Sequence, residues 1–502
     1  MSATQTPAPS AAPDRAAGQS GRDDWRELLQ RYPFVSATVA CVVLAALSAA
    51  LLPTVASYDP WAWISWGREV VDPHLSFAIS GGPSWKPLPV LFTTAFALFG
   101  STAAPTLWVI TARAGGLLAL FAAYRLGARL VGSHSPRWAA VTAGVLAAAG
   151  VVVTQEWFYE MFRGTSEPML IACALWAIDR HLERRYGWAF VLGVATSLIR
   201  PEAWPLIILY AAWLWWRSAS TRTRALIVLG LLAIPFFWFV PPWIGSGQPF
   251  LAAVHAEEYN GQLGSDPFLT VLGRGLDVQT IPILILGAVA VTVAWLRRPR
   301  DWLTLALGAG ALVWWVVVVG MTLDGYPGLE RFYLPAAGVT AVLAGVGIVR
   351  LAELAARGRG LVAAGVIVAL VALTIPFTGG RLGQARAQER IAAQAVTRLD
   401  QMKAAVAAVG GHSRVFPCKS SFAAVNHGVQ TALAWQLHVT LGRVGTSMRH
   451  QGVMFVGPHD TIDGIAAPVK ADLTSRQLLA RVGVWRVYRV TRPGSDTRCV
   501  GS

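Results

Sequence analysis

Eleven apolar segments, each closed by charges or by Gly/Pro turns, set the first limit on this chain: 34–52, 105–131, 136–153, 167–180, 187–200, 204–216, 225–242, 278–296, 302–321, 333–349 and 361–377. An apolar stretch approaching twenty residues can cross the hydrocarbon core of a bilayer as a helix. A soluble globule needs more charge than this to cover its surface. Of the 502 residues, 54% are apolar and 14% charged, against roughly 25% charged in an average soluble chain. The pattern predicts a mainly α, polytopic membrane protein of about 11 transmembrane helices. It excludes a disordered chain and a disulfide-rich mini-protein.

The formal net charge of +15 would suggest a nucleic-acid partner if it were gathered on one surface. It divides instead by compartment. With the N-terminus in the cytoplasm, the inner loops carry nineteen Lys/Arg and the outer loops six, which is the positive-inside asymmetry. The outer loops, counted with Glu167 at the edge of its span, come to −7 and residues 378–502 to +10, so the charge argues for a membrane-bound protein and against nucleic acid. The expectation is a multi-pass protein of the cell inner (plasma) membrane with three parts. Residues 1–33 form a disordered cytoplasmic tail rich in Ala, Pro and Ser, and 34–377 a transmembrane domain with a first outer loop at 53–87. Residues 378–502 form an extracytoplasmic α/β domain. Within that domain the pattern predicts a helix from Gln384 to Val409, a short strand at Arg414–Pro417, and a helix over Phe422–Thr440. An apolar strand at Val453–Val456 and a hairpin across Leu478–Val490 follow. Cys418 and Cys499 both fall there, where an oxidising compartment permits a disulfide. Cys41 and Cys173 fall in spans and read as packing residues.

The most informative loop is the first outer one. Asp59 follows the first span and is succeeded by Pro60, Trp61, Trp63 and Trp66, the pattern of an amphipathic helix lying at the membrane interface. A carboxylate before proline also suits a helix N-terminus, so capping and chemistry are both open to Asp59. Lys86-Pro87-Leu88 closes the loop and leads to Leu98-Phe99-Gly100. Lys86, Arg200 and Arg331 stand at the outer ends of spans, where arginines also snorkel toward headgroups. Arg200-Pro201-Glu202 reads equally as a local ion pair. Glu167, before Pro168, fits either a second functional acid or an ordinary helix start. Glu156 and Glu160 are expected on a solvated surface. Arg113, inside its span, is costly if it faces lipid and is expected to line a polar interior or snorkel outward. The loop 243–277 holds His255, Glu257, Glu258, Tyr259 and Asp266. Such ligands suit a divalent metal, yet their spacing matches no strong motif, and a cover over a cavity fits the composition better.

The order of these features is similar to that of the GT-C glycosyltransferase superfamily. An acid follows the first span, and a Lys-Pro-Leu segment leads to Leu98-Phe99-Gly100. Arg113 lies in the next span, which exits through Tyr124, Arg129 and Gly132. The resemblance is to the polyprenyl-phosphate-sugar-dependent protein mannosyltransferase and aminoarabinose transferase group, over roughly residues 34–350. The chain departs from the group in having a single proline after Lys86 and a single acid at the loop start. The resemblance implies an inverting transfer of a sugar from a polyprenyl-phosphate carrier to a cell-envelope acceptor, a glycan, lipoglycan or protein, on the outer face of the membrane. Asp59 would act as general base, with Glu167 assisting. Lys86, Arg200 and Arg331 would neutralise the carrier phosphate, and Arg113, Glu202, His255, Glu257 and Glu258 would line the cavity. The Ala/Gly/Arg/Trp-heavy composition suggests an actinobacterial source and an arabinosyl- or mannosyltransferase. Two other classes fit the topology: a transporter or lipid flippase, and a non-catalytic envelope-assembly protein. Transporters gather ionisable residues near the midplane and carry repeats. Here the acids collect in outer loops and no repeat is visible.

Overall fold

The computed structural model describes residues 33–79, 81–132, 135–257, 265–418, 421–448, 451–458, 469–471 and 475–491. Of the expected tail at 1–33 only Pro33 is described, as the start of the helix Pro33–Leu51, and Glu258, Tyr259 and Cys499 lie outside the described residues. All eleven apolar segments are helical, but they differ in reach. Among the described residues, six helices are long and apolar enough to cross a membrane: Phe34–Leu51, Ala103–Val131, Thr221–Ser246, Trp302–Leu323, Glu330–Ala356 and Gly360–Ala408. Two bent pairs, Arg137–Val152 with Trp157–Arg163 and Pro267–Val278 with Ile281–Leu296, bring the number to eight if each is one span. The helices Glu167–Leu182, Tyr186–Ser197 and Trp204–Arg217 are 16, 12 and 14 residues long, short of the roughly 20 that a perpendicular span needs. The protein is a mainly helical multi-pass membrane protein with a small C-terminal sheet.

The helix Leu334–Ala356 is the centre of the bundle and is buried along almost its whole length. Small residues let it approach its neighbours closely, the packing that substitutes for a hydrophobic drive inside lipid. A side chain at Gly345 would stand 2.6 Å from the Ala143 carbonyl oxygen, so helix Arg137–Val152 could not come as near. Gly347 meets the Leu286 carbonyl of Ile281–Leu296 more tightly still.

The helix Gly360–Ala408 runs on without a break past residue 377, from an exposed apolar half into a half that packs on the C-terminal sheet. There Trp485 Nε1 donates to the Arg398 carbonyl at 2.9 Å, and the Val484 amide to Gln401 Oε1 at 3.0 Å. The sheet has five strands in the order β2-β1-β4-β7-β6. They are β1 (Phe422–Ala424), β2 (Val444–Gly445), β4 (Gly452–Val456), β6 (Ser475–Val482) and β7 (Trp485–Thr491). Strand β1 runs parallel to β2 and β4, while β7 runs antiparallel to β4 and β6. A separate pair joins β3 (Ser447–Met448) to β5 (Lys470–Ala471). The expected hairpin and the strand at Val453–Val456 are present. Two local expectations are corrected. Arg414 lies in a short helix, Gly411–Val415, that starts after Gly410 turns the chain at φ +91°. Phe422 opens a strand, and the helix shrinks to Gln430–Gln436, because Phe422–Ala424 fills the sheet position between β2 and β4.

Candidate active site

The first-loop helix spans Tyr58–Val71, starting after Ser57 with Pro60 in its first turn, where a missing amide costs no helical hydrogen bond. Its tryptophans are covered by protein, not exposed as an interfacial helix would have them. Trp63 and Trp66 are fully buried and Trp61 nearly so, because the helix packs beneath the C-terminal domain and beside Pro87–Ala97. Asp59 makes no capping bond; its Oδ2 instead accepts from Arg331 Nη1 at 3.2 Å. Arg331 reaches it from a turn of 3-10 helix, Glu330–Tyr333, that leads into the central helix.

Beside this pair lies a buried group of charges. Lys86 precedes the helix Pro87–Ala97, and the Leu88 amide donates to the Leu198 carbonyl at 3.1 Å, which draws the Lys86 segment against the Arg200 segment. Lys86 Nζ donates to Ser166 Oγ at 2.8 Å and to Glu167 Oε1 at 2.9 Å. Arg200 Nη2 donates to the same Glu167 oxygen at 2.5 Å. The Arg200 guanidinium lies 4.3 Å from the centre of the Phe332 ring, and the Lys86 ammonium 5.0 Å from that of Trp63, contacts that favour a cation in a poorly hydrated place. Glu202 Oε1 is 4.0 Å from Arg200 Nη1. Burial pushes the Lys86 ammonium down to about 8, and the nearby Arg200 adds to that while Glu167 opposes it. Burial also pushes the Glu202 carboxyl up, against the pull of Arg200. Asp59, Lys86, Glu167, Arg200 and Arg331 thus form one cluster from five separate stretches of chain.

The cluster has a closed floor and an open side. The Glu167 side chain is fully buried and that of Lys86 is 6% exposed, whereas Asp59 keeps 20% and Arg331 31%. The buried Nε atoms of Arg200 and Arg331 have no hydrogen-bond partner among the described residues, and such donors normally have one. A cavity of about 490 Å³ runs through the adjoining helices, walled by apolar groups including Ala177, Ile207, Trp314, Pro335 and Val339. Trp314 in its wall donates to the carbonyl of Phe332, the residue after Arg331, at 2.8 Å, and the cavity extends to His181 and Leu182 at the other end of the helix Glu167–Leu182.

Other expected residues lie elsewhere. Arg113 does not line the cluster: its Nη2 donates to the Pro53 carbonyl at 2.6 Å and its Nη1 to Ser48 at 3.3 Å, tying the end of the first span to the loop. His255 is buried, with Nδ1 3.3 Å from the Pro83 carbonyl, while Glu257 is exposed at the end of the helix Leu251–Glu257. Among the described residues no group of three or more His, Cys, Asp or Glu is arranged to hold a metal. Cys418 is disulfide-bonded, Cys41 and Cys173 are free, and the expected partner Cys499 lies outside the described residues. Glu160 corrects the solvated-surface expectation. It is buried, and its carboxylate accepts from the Thr165 hydroxyl, because Trp157–Arg163 folds inward after the bend. Sequence reasoning read Ser166 only as part of a helix start and Phe332 only as a neighbour of Arg331, and gave neither a place in the site. The aromatic run Trp157-Phe158-Tyr159 was a signal that this short helix is covered.

The fold is shared with known proteins although the sequence is not. No protein-family model matches the chain, and no curated protein matches it by sequence. Among solved structures, ArnT from Cupriavidus metallidurans bound to undecaprenyl phosphate matches with a TM-score of 0.53 at 16% identity, over 91% of this chain and 98% of that one. The same protein in its apo state matches with a TM-score of 0.50 at 15% identity, over the same shares. The likeness covers the membrane part and the C-terminal domain together, and at this identity it is a likeness of fold.

Proposed function

We propose that this protein is a GT-C-type glycosyltransferase that moves a sugar from a polyprenyl-phosphate carrier to a cell-envelope acceptor at the outer face of the plasma membrane. The observation that carries the reading is the meeting of three cations with a solvent-reachable carboxylate, beside an apolar cavity. A lipid phosphate needs both: cations for its headgroup and an apolar wall for its chain. The fold shared with a protein solved in complex with undecaprenyl phosphate supports the same substrate class.

In this reading Asp59 takes the proton of an acceptor hydroxyl as its oxygen bonds to the anomeric carbon of the donor sugar. The bond from that carbon to the phosphate oxygen breaks, its electron pair stays on the phosphate, and the configuration inverts. Lys86, Arg200 and Arg331 face the developing charge, and the planar fork of Arg331 can engage two phosphate oxygens. Glu167 holds Lys86 and Arg200 in place and is a positioning residue. Residues 34–377 would be the catalytic membrane domain, and 378–502 an extracytoplasmic domain over it.

The test is transfer of radiolabelled sugar from mannosyl- and arabinosyl-phosphopolyprenols in membranes carrying the wild type or Asp59→Asn. The expected result is transfer by the wild type and a loss of about 10³-fold in the variant. Equal transfer by a folded Asp59→Asn protein would remove the assignment.

A further inference from the structure

The C-terminal domain touches the chain at the residue before Asp59. Thr431 Oγ1 donates to the Tyr58 carbonyl at 2.9 Å, and the Tyr58 hydroxyl donates to Gln430 Oε1 at 3.2 Å. The His427 ring stacks on the Tyr58 ring at 4.5 Å, with 29° between their planes. Gln430 is itself fixed to the sheet, its Nε2 donating to the Val444 carbonyl of β2 at 2.5 Å. Thr431 is fully buried and Gln430 is 8% exposed. On the other side, the Ser57 amide donates to the Arg163 carbonyl of the membrane domain at 3.0 Å. The carbonyl held by Thr431 belongs to the peptide unit joining Tyr58 to Asp59, so fixing its oxygen fixes the plane from which the Asp59 side chain leaves.

We infer that the C-terminal domain is a working part of the active site: Thr431 and Gln430 are positioning residues that act through Tyr58 to aim the Asp59 carboxylate. The inference rests on the role proposed above for Asp59. A domain that only covered the membrane part would not need a buried hydroxyl on this one carbonyl. Docking has its own, separate anchor. Arg68 donates from Nη1 to the Trp435 carbonyl at 3.0 Å and from Nη2 to the Val439 carbonyl at 3.2 Å, with its guanidinium 4.2 Å from the centre of the Trp435 ring. His438 adds a contact to Asp72 at 2.8 Å. Loss of the Thr431 hydroxyl therefore leaves the domain docked and loosens the approach to Asp59.

The experiment compares wild type, Thr431→Val and Thr431→Ser as full-length protein in lipid nanodiscs. Valine matches threonine in shape and removes the donor, while serine restores it. Transfer from mannosyl- and arabinosyl-phosphopolyprenols is measured together with amide hydrogen exchange over residues 57–63. In Thr431→Val, kcat is expected to fall about tenfold with the donor KM unchanged, since misaiming a base affects the transition state and not donor binding. Exchange over 57–63 should rise several-fold, and Thr431→Ser should recover both. Unchanged exchange and kcat in Thr431→Val would overturn the inference, as would a rise in KM alone. If the wild type transfers neither sugar while exchange in Thr431→Val rises as expected, the tether stands and the assignment of the reaction falls. The two failures are thus distinguishable.

Discussion

The helix Glu167–Leu182 carries a charge cluster at each end, and the two are built differently. At its start, Glu167 gathers Lys86 and Arg200, with Arg331 and Asp59 beside them. About 18 Å away along the helix axis, Asp179 and Glu183 gather Arg125, Arg129 and Arg180. The second also holds Arg185, 3.9 Å from Glu183, so it has four cations against three and charge count does not single out the first. The second is a seam: apart from Arg185, just past the end of this helix, its arginines come from this helix and from the neighbouring Ala103–Val131, at spacings that put them on facing turns. It needs only two helices side by side. The first needs five distant stretches to converge; exposure and neighbouring cavities do not separate the two, since Asp59 and Glu183 are 20% and 21% exposed and an apolar cavity lies near each. Convergence from many segments is what a binding site requires and a helix seam does not.

The comparison breaks first at Arg331. Replacing it with Gln should lower transfer about 10²-fold, the scale for removing one preorganised partner of a developing charge, with the protein still folded by size-exclusion profile and melting temperature. Arg331→Lys should recover only part of the activity, because an ammonium cannot offer the bidentate fork. An equal loss from Arg129→Gln in the seam would erase the distinction between the two clusters.

Lys86 gives a smaller and more specific effect. With its ammonium held near 8 by burial, Lys86 is charged below that pH and neutral above it. If its charge binds the donor phosphate, kcat/KM for the donor should be level below about pH 8 and fall as pH rises beyond it. Lys86→Arg stays charged throughout, so its profile should lose that fall even though its rate at pH 7 drops several-fold. A wild-type profile still level at pH 9.5 would remove Lys86 from donor binding.

How much of this was legible depended on whether the signal was local. Lys86, Arg200 and Arg331 could be found because each stands where an apolar run ends, and a charge there is visible without knowing what it meets. Their meeting was not visible, since it depends on contacts such as Leu88 with Leu198 between segments more than a hundred residues apart. The tryptophans of the first loop misled for the same reason. Trp at 61, 63 and 66 suits a membrane interface as well as a buried one, and the rings that cover them are distant in sequence: Trp435, over 350 residues on, for Trp61, and Trp108 and Trp85 for Trp63 and Trp66. Glu160 was lost to the general rule that acids in outer loops are solvated. Phe422 was absorbed into a helical pattern because three residues of strand carry too little period to be told from helix.

The smallest expected effect on catalysis comes from the seam, and it is the sharpest control on the comparison. Asp179 is fully buried and faces Arg125, Arg129 and Arg180, at 3.4, 3.3 and 2.5 Å. Asp179→Asn keeps the volume and removes the charge, leaving three guanidinium groups with Glu183 as the one acid among these residues. Removing one member of a buried ion pair costs about 3 kcal/mol, so the melting temperature in detergent should fall by several degrees. The rate per folded molecule should stay within about twofold of wild type, because nothing in the seam reaches the cluster at the other end of the helix. Stability and activity are then read on the same samples. A variant that melts early and transfers normally assigns the seam to folding and the first cluster to chemistry. One that melts normally and transfers poorly would show that the helix transmits the state of one end to the other, and the two clusters would have to be treated as a single device.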